Sequence, residues 1–122
     1  GCKLLIMDAS IHTLPQKGHI EDASPINFLH AIRDAEFVIA TSFHGTAFSI
    51  IFEKQFLTLG LNKNADRVLT LLGHLDILEH YQNEPKTVAN INYKQLSESY
   101  NQLILQSKQA LLSAIDKQRT LV

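Results

Sequence analysis

The amino-acid sequence predicts an α/β domain in which helices cover a parallel β-sheet. Short apolar runs at 3–7, 37–40 and 56–59 have the length and composition of buried strands. Between them, the segments 24–34 and 47–54 carry apolar residues suited to helices. The resulting order of strand, helix, strand, helix and strand has short links. Such links favour right-handed crossovers, which make the strands parallel.

The amino-terminal elements follow from local signals. A first strand is predicted over Lys3–Met7, and Ile11–Ile20 is predicted to be a loop because it contains a proline, a glycine and no hydrophobic period. Ser24 followed by Pro25 is a strong helix-start signal. The helix is predicted to end at residues 34–36. Its predicted buried stripe consists of Ile26, Phe28, Leu29 and Ile32.

Sequence signals define some of the carboxyl-terminal elements more clearly than others. After the third strand, which Gly60 ends, a helix is predicted over Arg67–Leu75, with Gly73 as its end or a kink. The segment Ile77–Asn90 is predicted to hold a short helix and an edge strand around Thr87 and Val88. A long helix is predicted over residues 92–118. One of its faces is apolar and comprises Tyr93, Leu96, Tyr100, Leu103, Ala110, Leu111, Ala114 and Ile115.

Composition excludes several classes of function. The chain has 122 residues, enough for one domain with a sizeable core, and a formal charge of −1, which leaves no basic surface for nucleic acid. The longest apolar runs are far shorter than the roughly 20 residues of a membrane helix, and no signal-peptide pattern opens the chain. A lone cysteine, Cys2, fits a reducing compartment. We therefore expect a cytoplasmic protein without a cofactor.

The stretch FVIATSFHGTAFSIIFEKQF, residues 37–56, carries the strongest functional signal. A predicted strand leads through a polar turn, Thr41–Thr46, into a predicted helix over Ala47–Lys54. This order places His44 and Gly45 at the carboxyl edge of the sheet and at the amino end of a helix. Open α/β sheets bind ligands at that edge, and a helix amino end favours an anion such as phosphate.

The same residues carry a family resemblance. TSFHGTAFSIIFEKQF resembles the signature of the polysaccharide pyruvyl transferases, whose members have a similar Ser-Phe-His-Gly-Thr segment. The preceding SPINFLHAIRDAEFVI and the loop Asn62–Arg67, which leads into Val68–Leu72, agree with it. The likeness is good from Ser24 to Leu78 and looser towards both ends.

The resemblance implies a Rossmann-like three-layer domain with a parallel sheet. The implied domain is similar to the carboxyl-terminal half of a glycosyltransferase of the B architecture. In that architecture, two Rossmann-like halves face each other across a cleft. Residues 1–122 are accordingly expected to form the carboxyl-terminal domain of a longer two-domain enzyme. Without the missing amino-terminal domain, this domain is expected to be inactive.

The resemblance also implies an activity. Such enzymes transfer the pyruvyl group of phosphoenolpyruvate to a sugar and form a ketal on a cell-surface glycan, so the expected partners are phosphoenolpyruvate and a glycan acceptor. His44 is expected to act as an acid or a base, and the amides of Gly45 and Thr46 are expected to bind the donor together with Arg67. The candidate substrate-binding residues are Ser42, Gly45, Thr46, Lys63 and Arg67.

Several alternatives remain open at this point. Ser42 can simply cap the helix, Gly45 can serve packing, and Lys63 and Arg67 can be solvated surface charges. A nucleotide-sugar-binding half of a glycosyltransferase would use the same edge and would need an acidic residue for the ribose, for which Glu53 and Glu79 are candidates. A non-catalytic interaction domain would instead use the long last helix as its docking face.

Histidines outside the motif suggest little chemistry. A metal site of His12, His19 and an acidic residue has no defined geometry within a loop, so no metal is expected. The three remaining histidines are predicted to be surface or boundary residues. They are His30, His74 and His80.

Overall fold

The computed structural model describes residues 5–8, 19–21, 24–60 and 65–120. The strands are β1 (Ile6–Asp8), β2 (His19–Glu21), β3 (Phe37–Ala40), β4 (Gln55–Leu59) and β5 (Tyr81–Gln82). The helices are α1 (Pro25–Asp34), α2 (Phe43–Ile51), α3 (Asp66–His74) and α4 (Tyr93–Arg119), with a 3-10 turn at Leu78–His80.

Strands β3, β4 and β5 form a parallel sheet in chain order. Ala40 pairs with Thr58, and Thr58 pairs with Tyr81, so the carboxyl ends of all three strands meet at one edge. The chain passes between them through α2 and α3. The prediction of an α/β domain with a parallel sheet is therefore confirmed.

Strands β1 and β2 form a separate two-stranded parallel sheet, with Ile6 paired to His19. The first predicted strand overlaps β1, but the prediction of a loop is wrong at residues 19–20. Pairing between distant segments creates β2, and a three-residue strand is too short to show a period in the sequence. Lys3 and residues 11–18 lie outside the described residues.

Strand β3 has the predicted bounds but not the predicted burial. Phe37 is 50% exposed and Ile39 is 61% exposed, whereas Ala40 is buried. Among the described residues, β3 pairs with β4 and lies at the edge of its sheet. Phe37 and Ile39 alternate with Val38 and Ala40 and so lie on the opposite face, which is left exposed. The prediction of burial on both faces is wrong.

Helix α2 begins at Phe43, four residues earlier than predicted, and ends at Ile51. Ser42 is its N-cap, and the Ser42 hydroxyl accepts a hydrogen bond from the Gly45 amide at 3.1 Å. The predicted turn therefore forms the first turn of the helix. A glycine in a run of short polar residues resembles a turn in sequence, but this one lies inside a capped helix. The helix ends before Glu53, whose φ is 54°.

The helices that flank the sheet largely follow the predictions. Ser24 caps α1 and accepts from the Asn27 amide at 3.2 Å. Ile32 is buried, but Ile26 is 64% exposed, so the predicted stripe of α1 is only partly covered. Helix α3 agrees with its prediction to within one residue at each end. Gly73 lies inside α3 and does not end it.

Strand β5 lies six residues before the edge strand predicted at Thr87 and Val88, which have no regular structure. The 3-10 turn that precedes it matches the predicted short helix. The main core lies between the sheet, α3 and the beginning of α4. Its buried members are Ile50, Phe56, Val68, Leu72, Leu75, Ile77, Ile91 and Leu96.

Helix α4 is 27 residues long, begins after the N-cap Asn92 and packs only through its first half. The Tyr93 hydroxyl donates to the Lys54 carbonyl, which ties the helix to the start of β4. Burial, helped by the charge of Glu53, raises the pKa of Tyr93, so its phenol remains a neutral donor. In the second half, Leu111 is 61% exposed and Ile115 41%. The predicted apolar face is thus buried only near its beginning.

No helix in the described ranges, α4 included, is long and apolar enough to cross a membrane. The apolar residues of α4 are interrupted by charged and amide side chains along its whole length.

Gln55 joins β4 to the segment before α4 by two hydrogen bonds to Ile91. Its Nε2 donates to the Ile91 carbonyl at 3.0 Å, and its Oε1 accepts from the Ile91 amide at 2.7 Å. Replacing Gln55 with alanine leaves both backbone groups of a buried residue unpaired. We expect a loss of about 2 kcal/mol in the free energy of unfolding, measured by urea denaturation.

The matched control is Gln95→Ala, at an exposed position on α4. It should change the free energy of unfolding by less than about 0.5 kcal/mol. Equal losses in the two variants would contradict the structural role assigned to Gln55.

Candidate active site

A cavity of about 290 Å³ lies at the carboxyl edge of the three-stranded sheet. It is bounded by the turn after β3, the first turns of α2 and α3, and the ends of β4 and β5. The lining residues are Thr41, Ser42, Phe43, His44, Thr58, Leu59, Gly60, Ala65, Arg67, Val68 and Tyr81. None of these lining residues carries a carboxylate. The only charged side chain among them is Arg67, so the lining favours an anionic ligand.

The backbone amides in the first turn of α2 differ in whether they already have an acceptor. The Gly45 amide already donates to the Ser42 hydroxyl, and the Thr46 amide donates to the Ser42 carbonyl at 3.1 Å. The two preceding amides, of Phe43 and His44, have no intrahelical acceptor because they belong to the first turn. The anion contact expected at Gly45 and Thr46 stays a prediction, and the amides of Phe43 and His44 are further candidates for it.

Gly45 and Thr46 are buried in the first turn of α2 and do not line the cavity. A Cβ atom on Gly45 would lie 3.0 Å from the Ala40 Cβ, so glycine allows α2 to begin close against the end of β3. Thr46 is fully buried. Both residues thus act through packing and hydrogen bonding inside the domain.

Thr46 and Thr58 connect the helix start to β4. The Thr46 hydroxyl donates to the Ser42 carbonyl at 3.0 Å and lies 2.7 Å from the Thr58 hydroxyl. A threonine hydroxyl has one hydrogen, so Thr58 must be the donor to Thr46. This directed chain of hydrogen bonds fixes the first turn of α2 relative to the end of β4.

Ser42 retains a hydrogen-bonding function towards the cavity. Its oxygen accepts from the Gly45 amide, while the hydroxyl hydrogen remains available to a ligand oxygen. Ser42 is exposed and lines the cavity. Capping and ligand binding, which were alternatives in the sequence, are compatible in the structure.

His44 and Arg67 line the same cavity, and both side chains are exposed. Within the described part of the chain, no hydrogen bond engages the His44 ring nitrogens, and no carboxylate lies within ion-pair distance of Arg67. Both groups can therefore contact a ligand without breaking an interaction inside the domain.

Phe43 lies between these two side chains. The Arg67 guanidinium carbon is 4.8 Å from the centre of the Phe43 ring, within the range of a cation–π contact. The His44 ring meets the same ring edge to face at 5.8 Å. Phe43 was missed at the sequence level, although it stands inside the motif, because a phenylalanine at this point reads as a core residue.

Tyr81 also lines the cavity and was likewise missed at the sequence level. A Cβ atom on Gly60 would lie 2.7 Å from the Asn83 Oδ1 and closer still to the Tyr81 hydroxyl. Glycine at 60 therefore makes room for Tyr81 at the cavity. The pairing of β5 with β4 brings Tyr81 to this place, and no local sequence signal reveals it.

The remaining candidates lie elsewhere. Lys63 and His12 fall outside the described residues. His30 and His74 are exposed as predicted, but His80 is 2% exposed, and its Nδ1 donates to the Phe56 carbonyl at 2.8 Å. The surface prediction is wrong for His80 because its 3-10 turn packs against β4. In the described ranges, no group of three or more metal-binding side chains converges.

Comparison with known proteins gives one family. The family model for polysaccharide pyruvyl transferase matches residues 4–63, a range that contains β1, β2, α1, β3, α2 and β4. This segment contains Ser42, His44 and Lys63, while Arg67 lies just beyond it. Searches of curated proteins and of solved structures gave no match. The family model and the Ser-Phe-His-Gly-Thr segment agree, so residues 4–63 of the chain are similar to the polysaccharide pyruvyl transferase family.

Proposed function

We propose that this chain is the donor-binding part of an enzyme that transfers the pyruvyl group of phosphoenolpyruvate to two hydroxyls of a glycan, forming a ketal. The observation that carries the proposal is the convergence of His44 and Arg67 on one cavity at the start of α2. The match to the family model over residues 4–63 supports transferase chemistry on a polysaccharide. The donor and the ketal product are our proposal.

Phosphoenolpyruvate has two anionic groups, a phosphate and a carboxylate. In the proposal, the first amides of α2 and the Ser42 hydroxyl bind the phosphate, since helix amino ends favour this group. Arg67 binds the carboxylate through paired N–H donors. Helix α3 begins at the same cavity, its N-cap Ala65 makes no side-chain capping bond to the first amides, and its first turn carries the acidic Asp66.

The reaction needs a proton donor and a base. A proton is added to the methylene carbon, and one sugar hydroxyl forms a bond to the adjacent carbon. The second hydroxyl then displaces phosphate from that carbon and completes the ketal. His44, exposed at the cavity, serves as the acid or the base for one of these proton transfers. Arg67 offsets the negative charge of the donor throughout.

The glycan acceptor is proposed to bind another domain of a longer, cytoplasmic enzyme. In this arrangement, the present chain is a Rossmann-like carboxyl-terminal domain that faces an amino-terminal domain across the cleft. Either half on its own would be inactive because donor and acceptor must meet between them.

The alternative of a nucleotide-sugar site has weaker support. Glu53 lies just after the carboxyl end of α2, and Glu79 lies in the 3-10 turn beside His80. Neither residue lines the cavity, so neither is placed to bind a ribose there.

Calorimetry on the full-length protein distinguishes the two ligands. Phosphoenolpyruvate is expected to bind with a dissociation constant in the range of about 1 μM to 1 mM, typical of enzyme substrates. Uridine diphosphate is expected to show no saturable heat at the same concentrations. Binding of the nucleotide but not of phosphoenolpyruvate would overturn the proposed function.

A further inference from the structure

Phe43 occupies a special position at the cavity. It is the first residue of α2, its ring packs partly against the core, and it also lines the cavity. The Arg67 guanidinium lies over this ring at 4.8 Å, and the His44 ring meets it edge to face. One anchored ring therefore contacts both of the side chains to which the proposed function assigns chemistry.

The contact with Phe43 restricts the Arg67 side chain before a ligand binds. An exposed arginine loses considerable side-chain entropy when a ligand fixes it, and this loss weakens binding. In the described ranges, the Phe43 ring is the only group seen to hold the guanidinium. Unlike a carboxylate, a ring does not neutralise the positive charge, so the guanidinium stays able to bind an anion.

The geometry points to Phe43 as a positioning residue for the anion-binding arginine. Its ring holds the Arg67 guanidinium at the cavity before the ligand arrives, so that less side-chain entropy is lost on binding. This inference rests on the proposed function, because it assumes that Arg67 binds the carboxylate of the donor. The Phe43 side chain contacts no reacting atom in this scheme and acts through Arg67.

The test compares two ring substitutions in the full-length enzyme. Phe43→Leu keeps an apolar side chain but removes the aromatic face, and Phe43→Tyr keeps the face. Phe43→Leu is expected to raise KM for phosphoenolpyruvate roughly 2- to 30-fold, with kcat changed less than about twofold. Phe43→Tyr should restore most of the lost affinity. Thermal unfolding of both variants verifies that they fold.

A double-mutant cycle with Arg67→Met shows whether Phe43 acts through Arg67. In the Arg67→Met background, Phe43→Leu should have no further effect on KM. Nuclear magnetic resonance supplies a readout that needs no turnover. The Arg67 Cδ protons should be shifted upfield by the ring current of Phe43, and this shift should disappear in Phe43→Leu.

The outcomes separate the two proposals. If Arg67→Met raises KM while Phe43→Leu does not, or if the two effects simply add, the positioning role is overturned and the proposed function stands. If Arg67→Met leaves KM unchanged although the ring-current shift is present, the proposed function fails, and the positioning role fails with it. If Phe43→Leu does not fold, the same cycle with Phe43→Met, which also removes the ring, and the ring-current measurement on the parent protein decide the question.

Discussion

Replacing His44 with glutamine is expected to lower kcat for pyruvyl transfer by a factor of roughly 10² to 10⁴, the usual contribution of a general acid or base. Glutamine retains polarity at the mouth of the cavity but cannot exchange a proton at neutral pH. The His44 side chain is exposed, so the fold does not depend on it. The free energy of unfolding should therefore change by less than about 0.5 kcal/mol. Steady-state kinetics on the full-length enzyme measures the effect.

His74→Gln is the matched control for this experiment. His74 is also an exposed helical histidine, but it lies at the end of α3 opposite to the cavity. Its replacement should leave kcat within about twofold of the parent value. An unchanged kcat in His44→Gln would contradict the acid–base role. It would favour instead the interaction domain, with α4 as the docking face.

Replacing Arg67 with methionine is expected to raise KM for phosphoenolpyruvate roughly 10- to 150-fold. This range corresponds to the loss of hydrogen bonds between charged groups, worth about 1.5 to 3 kcal/mol. Methionine keeps much of the side-chain length while removing the charge. Arg67→Lys should recover only part of the affinity, because lysine restores the charge without the paired donors. Calorimetric titration with phosphoenolpyruvate gives the same ranking without turnover.

Arg33→Met controls for the general loss of a positive charge. Arg33 is an exposed arginine near the end of α1, and its guanidinium bonds to Asp34 at 2.8 Å. This contact raises the pKa of Arg33 and lowers that of Asp34. The control should leave KM within about twofold. Equal increases in Arg67→Met and Arg33→Met would indicate a long-range charge effect and would contradict a contact between Arg67 and the donor.

The elements that were predicted well have signals within a few residues. Ser24 before Pro25 marks the start of α1, and Asn92 before an apolar stripe marks the start of α4. The prediction of strands failed where a strand forms only by pairing with a segment distant in the sequence. The strands β2 and β5 are three and two residues long and exist because a partner strand lies beside them.

Burial was predicted less well than secondary structure. Phe37, Ile39 and Leu111 are apolar and follow the expected patterns, yet each is at least half exposed. A periodic pattern shows which side of an element is apolar, but it does not show whether another element covers that side. His80 is the converse case, since a polar residue in an irregular segment is buried by the packing of its turn against β4.

The sequence by itself determined the α/β class, the parallel strand order, the family resemblance and the placement of His44 beside a helix start. These features follow from hydrophobic runs, capping residues and a contiguous motif, all of which are local. Only the tertiary structure decided that Gly45 and Thr46 are buried at that helix start. It also decided that Arg67 lies over Phe43 and that Tyr81 lines the cavity. These contacts join residues far apart in the chain, and their geometry depends on strand register and helix packing, which no local pattern encodes.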